Sequence, residues 1–206
     1  LSLRRQRQMC IRDSPHSGNG TEDAAVLDGV LAGADGVWSA FTPHAAQGYH
    51  GSSMMLLTNL LRAGNKHVRR AYSFERLAEI ADRMVHVHMS EPISPDYPVI
   101  GERAYCYLDP GFVQMNERPC DLPPEWIGRK ATYQVTPSWA PPWVIGKRLE
   151  ELGYPADIYE NRELLGRILL KMVDSLLKGE HIQFNKPKRL NKLVKICSAE
   201  LLEVAE

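Results

Sequence analysis

Residues 20–65 decide the fold that we expect for this chain, and they read GTEDAAVLDGVLAGADGVWSAFTPHAAQGYHGSSMMLLTNLLRAGN. Thr21 or Gly20 can cap a first helix, because residues of this kind are favoured where the first amides of a helix lack partners. Apolar residues then recur with the spacing of one helix face, at Ala24, Leu27, Leu31 and Ala34. Gly33 is predicted to end this helix.

A strand and a second helix follow within the same stretch. Residues 36–41, GVWSAF, are predicted to be a short buried strand, and residues 42–51 to be a loop. Ser52 or Ser53 can cap the next helix, which is expected to end at Gly64. The order of helix, strand and helix favours an α/β architecture with parallel strands.

The composition changes at Glu91, where a proline-rich region begins. Proline is excluded from helix interiors and central strands, so residues 91–142 are expected to be irregular, with short extended pieces. Helical patterns lie on both sides of this region. One begins at Ser73, and three more cover residues 143–152, 161–178 and 189–204.

The composition of the whole chain limits the classes of function. The 206 residues include 25 Lys and Arg and 25 Asp and Glu, so the net charge is near zero and binding to nucleic acid or to an anionic membrane is not expected. No stretch approaches the roughly 20 apolar residues of a membrane span. The four cysteines are scattered without a CxxC pair, which is typical of a reduced, cytoplasmic protein.

The first fourteen residues, LSLRRQRQMCIRDS, are basic and show no apolar periodicity. They lack the apolar core of at least about seven residues that a signal peptide requires. The string is similar to a translated sequencing adapter. We therefore expect residues 1–14 to be a non-native leader, and we expect the natural protein to continue upstream.

Two histidine-bearing loops contain the candidate functional residues. His16 precedes the first helix, and His50 or His44 lies in the loop after the predicted strand. In a (β/α)-barrel the active site is built from the loops that follow the strands, and consecutive loops lie side by side. Neutral imidazole is a good ligand for divalent metals, so His16 and His50 are candidate ligands of one ion. The alternative of surface histidines in polar loops stays open.

Residues 20–65 resemble the seventh and eighth βα units of the DRE-TIM metallolyases. This family includes 2-isopropylmalate, homocitrate and citramalate synthases and hydroxymethylglutaryl-CoA lyase. The resemblance aligns His16 with the second histidine of the family's H-x-H metal motif and Ser14 with the first. It aligns His50 with an asparagine ligand of the family, so a histidine stands where asparagine is expected.

Two later segments extend the resemblance to about residues 15–180. The segment PDYPVIGERAY, residues 95–105, resembles the linker of the synthases. The segment GKRLEELGY, residues 146–154, resembles a helix of their C-terminal subdomain. Lyases and aldolases of the superfamily do not share this tail, so the resemblance favours the synthase branch.

The resemblance implies a fold, an activity and a set of ligands. Residues 15–89 would be the last two βα units of a TIM barrel, and residues 90–206 a linker and a small, mostly helical α+β subdomain. The intact parent would be a Claisen-condensing acyltransferase that joins acetyl-CoA to a 2-oxo acid at a divalent metal (Mg, Mn or Zn), with the fragment inactive alone. A homodimer through the subdomain is also implied.

One departure from the family leaves the activity open. Where the synthases carry a histidine-rich catalytic segment, residues 106–114 read CYLDPGFVQ, without histidine. Tyr107 or Tyr133 could replace the proton donor, provided that the environment perturbs its pKa from about 10; alternatively, both are packing residues. The competing functions are a lyase or aldolase of the same superfamily and a non-catalytic regulatory or association module.

Overall fold

In a computed structural model of the chain, the described residues are 12–13, 15–16, 19–41, 50–88, 92–119, 121–180 and 182–205. The chain divides into two compact units. The first unit comprises Leu1–Ala104 and Leu122–Arg129, and the second comprises Tyr105–Asp121 and Lys130–Glu206. These limits differ from the domain borders after residues 14 and 89 that the sequence suggested, because residues 92–104 and 122–129 cluster with the first unit.

The first unit combines helices with a very short parallel pairing. Its strands are β1 (Arg12–Asp13) and β2 (Gly36–Val37), and its helices are α1 (Glu22–Leu31), α2 (Ser53–Arg62), α3 (Lys66–Ala71), α4 (Phe74–His88) and a 3₁₀ turn (Pro124–Ile127). The helices expected after Thr21, after Ser52 or Ser53, and from Ser73 are confirmed, and Ser52 is the residue that caps α2. The short helix α3 was not predicted; Asn65 caps it by accepting hydrogen bonds from the amides of His67 and Val68.

Strands β1 and β2 run parallel, with Arg12 opposite Gly36 and Asp13 opposite Val37. Strand β1 is therefore formed by two residues of the segment that was expected to be a non-native leader. The pairing confirms that the chain contains parallel strands. The fold is a mixed, helix-rich α/β arrangement with a small sheet.

The strand predicted over residues 36–41 is shorter and less buried than expected. Only Gly36–Val37 is a strand, its residues are half-buried, and Trp38 is 61% exposed. A parallel strand is buried on both faces only where helices cover both faces. The described part of the first unit does not provide that cover.

Helix α1 packs through a different face from the predicted one. Ala24 and Leu31 are exposed, Leu27 is half-buried, and the fully buried residue is Val26. Val26 lies against Gly51, where an added Cβ would come within 2.6 Å of the Val26 Cγ2 atom. The segment that precedes α2 therefore determines which side of α1 is buried.

The second unit is dominated by helices. Its elements are β3 (Cys106–Tyr107), α5 (Pro110–Met115), β4 (Thr132–Tyr133), α6 (Pro142–Glu151), α7 (Ala156–Tyr159), α8 (Arg162–Leu177) and α9 (Pro187–Ala205). Strands β3 and β4 pair in parallel. The helices predicted over 143–152, 161–178 and 189–204 are confirmed to within two residues at each end.

One contiguous apolar cluster forms the core of the second unit. Its fully buried side chains include Ile145 and Leu149 of α6, Ile168 and Met172 of α8, and Cys197 of α9. Apolar residues at this helical spacing form a stripe that is buried when three helices pack face to face.

Among the described residues, no helix is long and apolar enough to cross a membrane.

Candidate functional site

His16 and His50 are neighbours in the first unit. Their ring centroids are 4.2 Å apart with the planes tilted by 51°, and their backbones form an isolated antiparallel bridge. His16 is exposed and His50 is half-buried. His44, the alternative partner suggested by the sequence, lies outside the described residues.

The parallel pairing of β1 and β2 explains why these two histidines meet. His16 lies in the connection from β1 to α1, and His50 lies in the connection from β2 to α2. The connections that follow parallel neighbouring strands leave from the same edge of a sheet. Two side chains 34 positions apart are therefore brought to one place by the direction of the strands.

The main chain next to His50 is held on its strand side by Ala40. The Ala40 amide donates to the Gly51 carbonyl at 3.0 Å, and the Ser53 amide donates to the Ala40 carbonyl at 2.8 Å. A hydrogen bond of 2.8 Å between the Ser39 and Ser53 hydroxyls adds a side-chain contact on the same side. Residues 51–53 are thus held at the point where α2 begins.

The opposite side of this segment meets the first turn of α1. The Ser52 amide donates to Asp23 Oδ1 at 2.5 Å, and Gly51 lies so close to Glu22 that an added Cβ would be 2.9 Å from its carbonyl oxygen. Burial raises the pKa of Asp23, the hydrogen bond from Ser52 offsets part of this rise, and the Glu22 charge adds to it. An acid in the first turn of a helix also interacts favourably with the helix dipole.

Tyr97 also belongs to these surroundings, although the sequence did not mark it as a site residue. Burial raises its pKa, the Ser52 side chain offsets part of the rise, and the carboxylates of Asp23 and Glu22 add to it. The phenol therefore stays protonated at neutral pH, as a neutral neighbour of the histidine segment. No local pattern distinguishes Tyr97 from the other residues of the proline-rich region, so long-range contacts alone reveal its position.

The histidine pair meets part of the requirement for a divalent metal. The Nδ1 atom of His50 is buried and has no hydrogen-bond partner among the described residues, so it is a nitrogen that an ion could use. However, the described part of the chain contains no group of three or more His, Cys, Asp and Glu side chains arranged to hold a metal. His16 and His50 can therefore supply two ligands of a site but not a complete one.

Tyr107, the candidate proton donor, lies in the core of the second unit, whereas the two histidines belong to the first unit. Its side chain is only 2% exposed. Burial raises the pKa of Tyr107, and the Asp121 carboxylate raises it further. Tyr107 therefore lies among apolar side chains, and its role as a proton donor stays a prediction.

Tyr133 is in a comparable situation. Its hydroxyl donates to Asn116 Oδ1 at 2.6 Å, and burial raises its pKa. The nearby charges act in opposite directions, because Lys147 lowers this pKa whereas Glu151 and Glu150 raise it. Tyr133 thus has a structural partner for its only polar group.

A cleft of about 860 Å³ runs along α6 in the second unit and was not expected from the sequence. On its wall, Lys147 Nζ lies 2.8 Å from Glu150 Oε2, so these two charges neutralise each other. Neither the histidines nor Tyr107 line this cleft.

No protein-family model matches this chain, and no curated protein shows a significant match to it.

Proposed function

We propose that this chain is the C-terminal part of a metal-dependent (β/α)-barrel acyltransferase of the 2-isopropylmalate or homocitrate synthase type. The observation that carries the proposal is the pairing of His16 and His50 at a ring-centroid distance of 4.2 Å. Each histidine lies in the connection after one of two parallel strands, where barrel enzymes keep their catalytic groups. The motif order over residues 15–180 supports the same class.

In this proposal, His16 and His50 hold a divalent ion (Mg, Mn or Zn), and the 2-oxo acid supplies further ligands through its carboxylate and carbonyl oxygens. The bound ion supplies a Lewis acid that polarises the ketone of a 2-oxo acid. The histidines contribute neutral imidazole nitrogens, and the unpartnered Nδ1 of His50 is the atom most available for this role. Acetyl-CoA is the second substrate.

The contacts around the pair support a fixed rather than an adaptable site. The segment from His50 to Ser53 is held by Ala40 on one side and by Asp23 on the other. A metal ligand that is held before the ion arrives binds it more tightly, because less freedom is lost on binding. The proposed homodimer would use the second unit, where Leu170 and Leu177 of α8 are 69% and 81% exposed.

Zinc titration of the purified chain tests the metal assignment. We expect one zinc ion to bind per chain, and we expect His16→Ala and His50→Ala each to weaken binding by at least about tenfold, because each removes one ligand. His67→Ala is the matched control, since His67 is an exposed histidine of α3 in the same unit. Equal zinc affinity in all four proteins would exclude a site centred on the pair.

The reaction class requires an assay of the full-length enzyme that contains this chain. Acetyl-CoA is supplied with a panel of 2-oxo acids, and free CoA is detected by its thiol. A synthase releases CoA only when the correct 2-oxo acid is present, whereas a lyase or aldolase of the superfamily splits the hydroxy acid without consuming acetyl-CoA. Absence of both reactions, together with absence of metal binding, would contradict an enzymatic role.

A non-catalytic association module is the second candidate, and one observation favours it. The segment that carries a catalytic histidine in the synthases has none here, and its tyrosine, Tyr107, is packed in the core of the second unit. A module of this kind would keep the helical second unit and lack metal affinity. The zinc titration therefore separates the two candidates.

A further inference from the structure

We infer that Asp23 is a positioning residue for His50, acting through the main chain of Ser52; its metal-binding consequence rests on the function proposed above. Asp23 lies in the first turn of α1, and Ser52 lies two residues after His50. The contact between them, 2.5 Å from the Ser52 amide to Asp23 Oδ1, joins residues 29 positions apart. It connects the start of one helix to the loop that carries the candidate ligand.

The contacts of this loop show why Asp23 has a particular part in holding it. Hydrogen bonds to Ala40 fix the strand side, through the Gly51 carbonyl and the Ser53 amide. On the helix side, Gly51 lies so close to Val26 and to the Glu22 carbonyl that an added Cβ would meet them at 2.6 and 2.9 Å, and this close packing is not a hydrogen bond. The Asp23 carboxylate supplies the directional contact on that side, and hydrogen bonds to ionised groups are the stronger class.

The position of His50 relative to His16 follows from that contact. The two histidines are paired only by an isolated bridge, and no strand continues on either side of it among the described residues. A displacement of residues 50–52 away from α1 would therefore carry the His50 ring away from the His16 ring. Groups that orient a metal-binding histidine typically change metal affinity by about 10–100-fold when they are removed.

Three variants test the inference by their zinc affinity. Asp23→Ala removes the acceptor, and we expect it to weaken zinc binding by about tenfold. Asp23→Asn keeps a carbonyl oxygen at the same place, so we expect it to restore affinity to within about threefold of the wild type. Asp28→Ala is the matched control, because Asp28 is an exposed acid of the same helix. If both Asp23 variants merely lost stability to the same extent, their zinc affinities would fall equally, and the difference expected between Asp23→Ala and Asp23→Asn would not be seen.

A second readout does not depend on the metal. Nuclear Overhauser contacts between the His16 and His50 rings, measured by NMR without zinc, should be lost in Asp23→Ala and kept in Asp23→Asn and Asp28→Ala. If the wild type keeps these contacts but binds no zinc, the proposed function fails while the positioning role of Asp23 is still tested.

Folding is checked by far-UV circular dichroism for each variant. If Asp23→Ala does not fold, Asp23→Glu takes its place, because the added methylene displaces the acceptor while the charge is kept. Ring contacts and zinc affinity that persist in Asp23→Ala, or in Asp23→Glu when that variant is used, would overturn the inference.

Discussion

The candidate site in the first unit and the core of the second unit depend on different kinds of contact. In the second unit, the helices α6, α8 and α9 bury one contiguous cluster that includes Ile145, Ile168 and Leu190. In the first unit, the histidine loop is held by polar and main-chain contacts, above all those that Asp23 and Ala40 make with residues 51–53. The geometry of the candidate site is therefore maintained by directional contacts, whereas the stability of the second unit comes from buried apolar area.

Removal of a core side chain should have the largest effect, and it should fall on the second unit. Leu149 of α6 is fully buried within the cluster, so Leu149→Ala should lower the free energy of unfolding by about 2–5 kcal/mol. Leu202→Ala is the control, because Leu202 of α9 is 71% exposed and its truncation should change stability by less than about 0.5 kcal/mol. Urea denaturation followed by circular dichroism measures both; equal losses would contradict a core centred on Leu149.

A pair of glycine substitutions sharpens the comparison in the first unit. A Cβ at Gly51 would meet Val26 Cγ2 at 2.6 Å and the Glu22 carbonyl oxygen at 2.9 Å. Gly51→Ala should therefore cost about 1–3 kcal/mol, as overpacking does, and should also separate the His16 and His50 rings. The measurements are urea denaturation and the NMR ring contacts.

Gly29→Ala is the counterpart of that substitution. Gly29 lies inside α1, and its added Cβ would make an ordinary contact of 3.6 Å with Val37. Alanine is favoured over glycine inside a helix, so stability should rise by about 0.5–1 kcal/mol while the ring contacts persist. A destabilised Gly29→Ala variant would show that α1 is packed more closely than these distances indicate.

The smallest effect concerns a surface ion pair and its pH dependence. The hydrogen bond to Glu150 raises the pKa of Lys147 above its ordinary value of 10.5. The folded state therefore binds this proton more tightly, so the contribution is complete below pH 10.5 and is lost as the pH rises through the folded-state pKa. Both side chains are nearly half exposed, so solvent screening limits the contribution to less than about 0.5 kcal/mol.

Thermal unfolding of Lys147→Met measures this contribution. At neutral pH the variant should be slightly less stable than the wild type, and the difference should vanish at strongly alkaline pH. A difference that grows with pH would show that the pair has the opposite linkage.

Particular residues show how far prediction from the sequence could reach. The helices of the second unit were predicted because apolar residues at helical spacing are a local signal. The six-residue helix α3 was missed, since it is too short to display a period. Val26 was not expected on the buried face of α1, because that face is selected by Gly51, 25 positions later.

The residues of the candidate site also fall into two groups, those that the sequence indicated and those that it could not. His16 was selected from the sequence by its place before the first helix and His50 by its place after the predicted strand, and their role in metal binding stays a prediction. Asp23 and Tyr97 could not be selected, because an acid in a first helical turn and a tyrosine among prolines have ordinary local explanations. Asp23 and Tyr97 contact Ser52 only in the folded chain, because these residues lie in segments that are distant in the sequence.

By itself, the sequence determined where most helices begin and end, because capping and periodicity act over a few neighbouring residues. The tertiary structure alone decided that the rings of His16 and His50 lie 4.2 Å apart and that Asp23 accepts a hydrogen bond from Ser52. The physical reason is the direction of two short parallel strands. Their pairing brings distant connections to one edge, and no local propensity specifies that pairing.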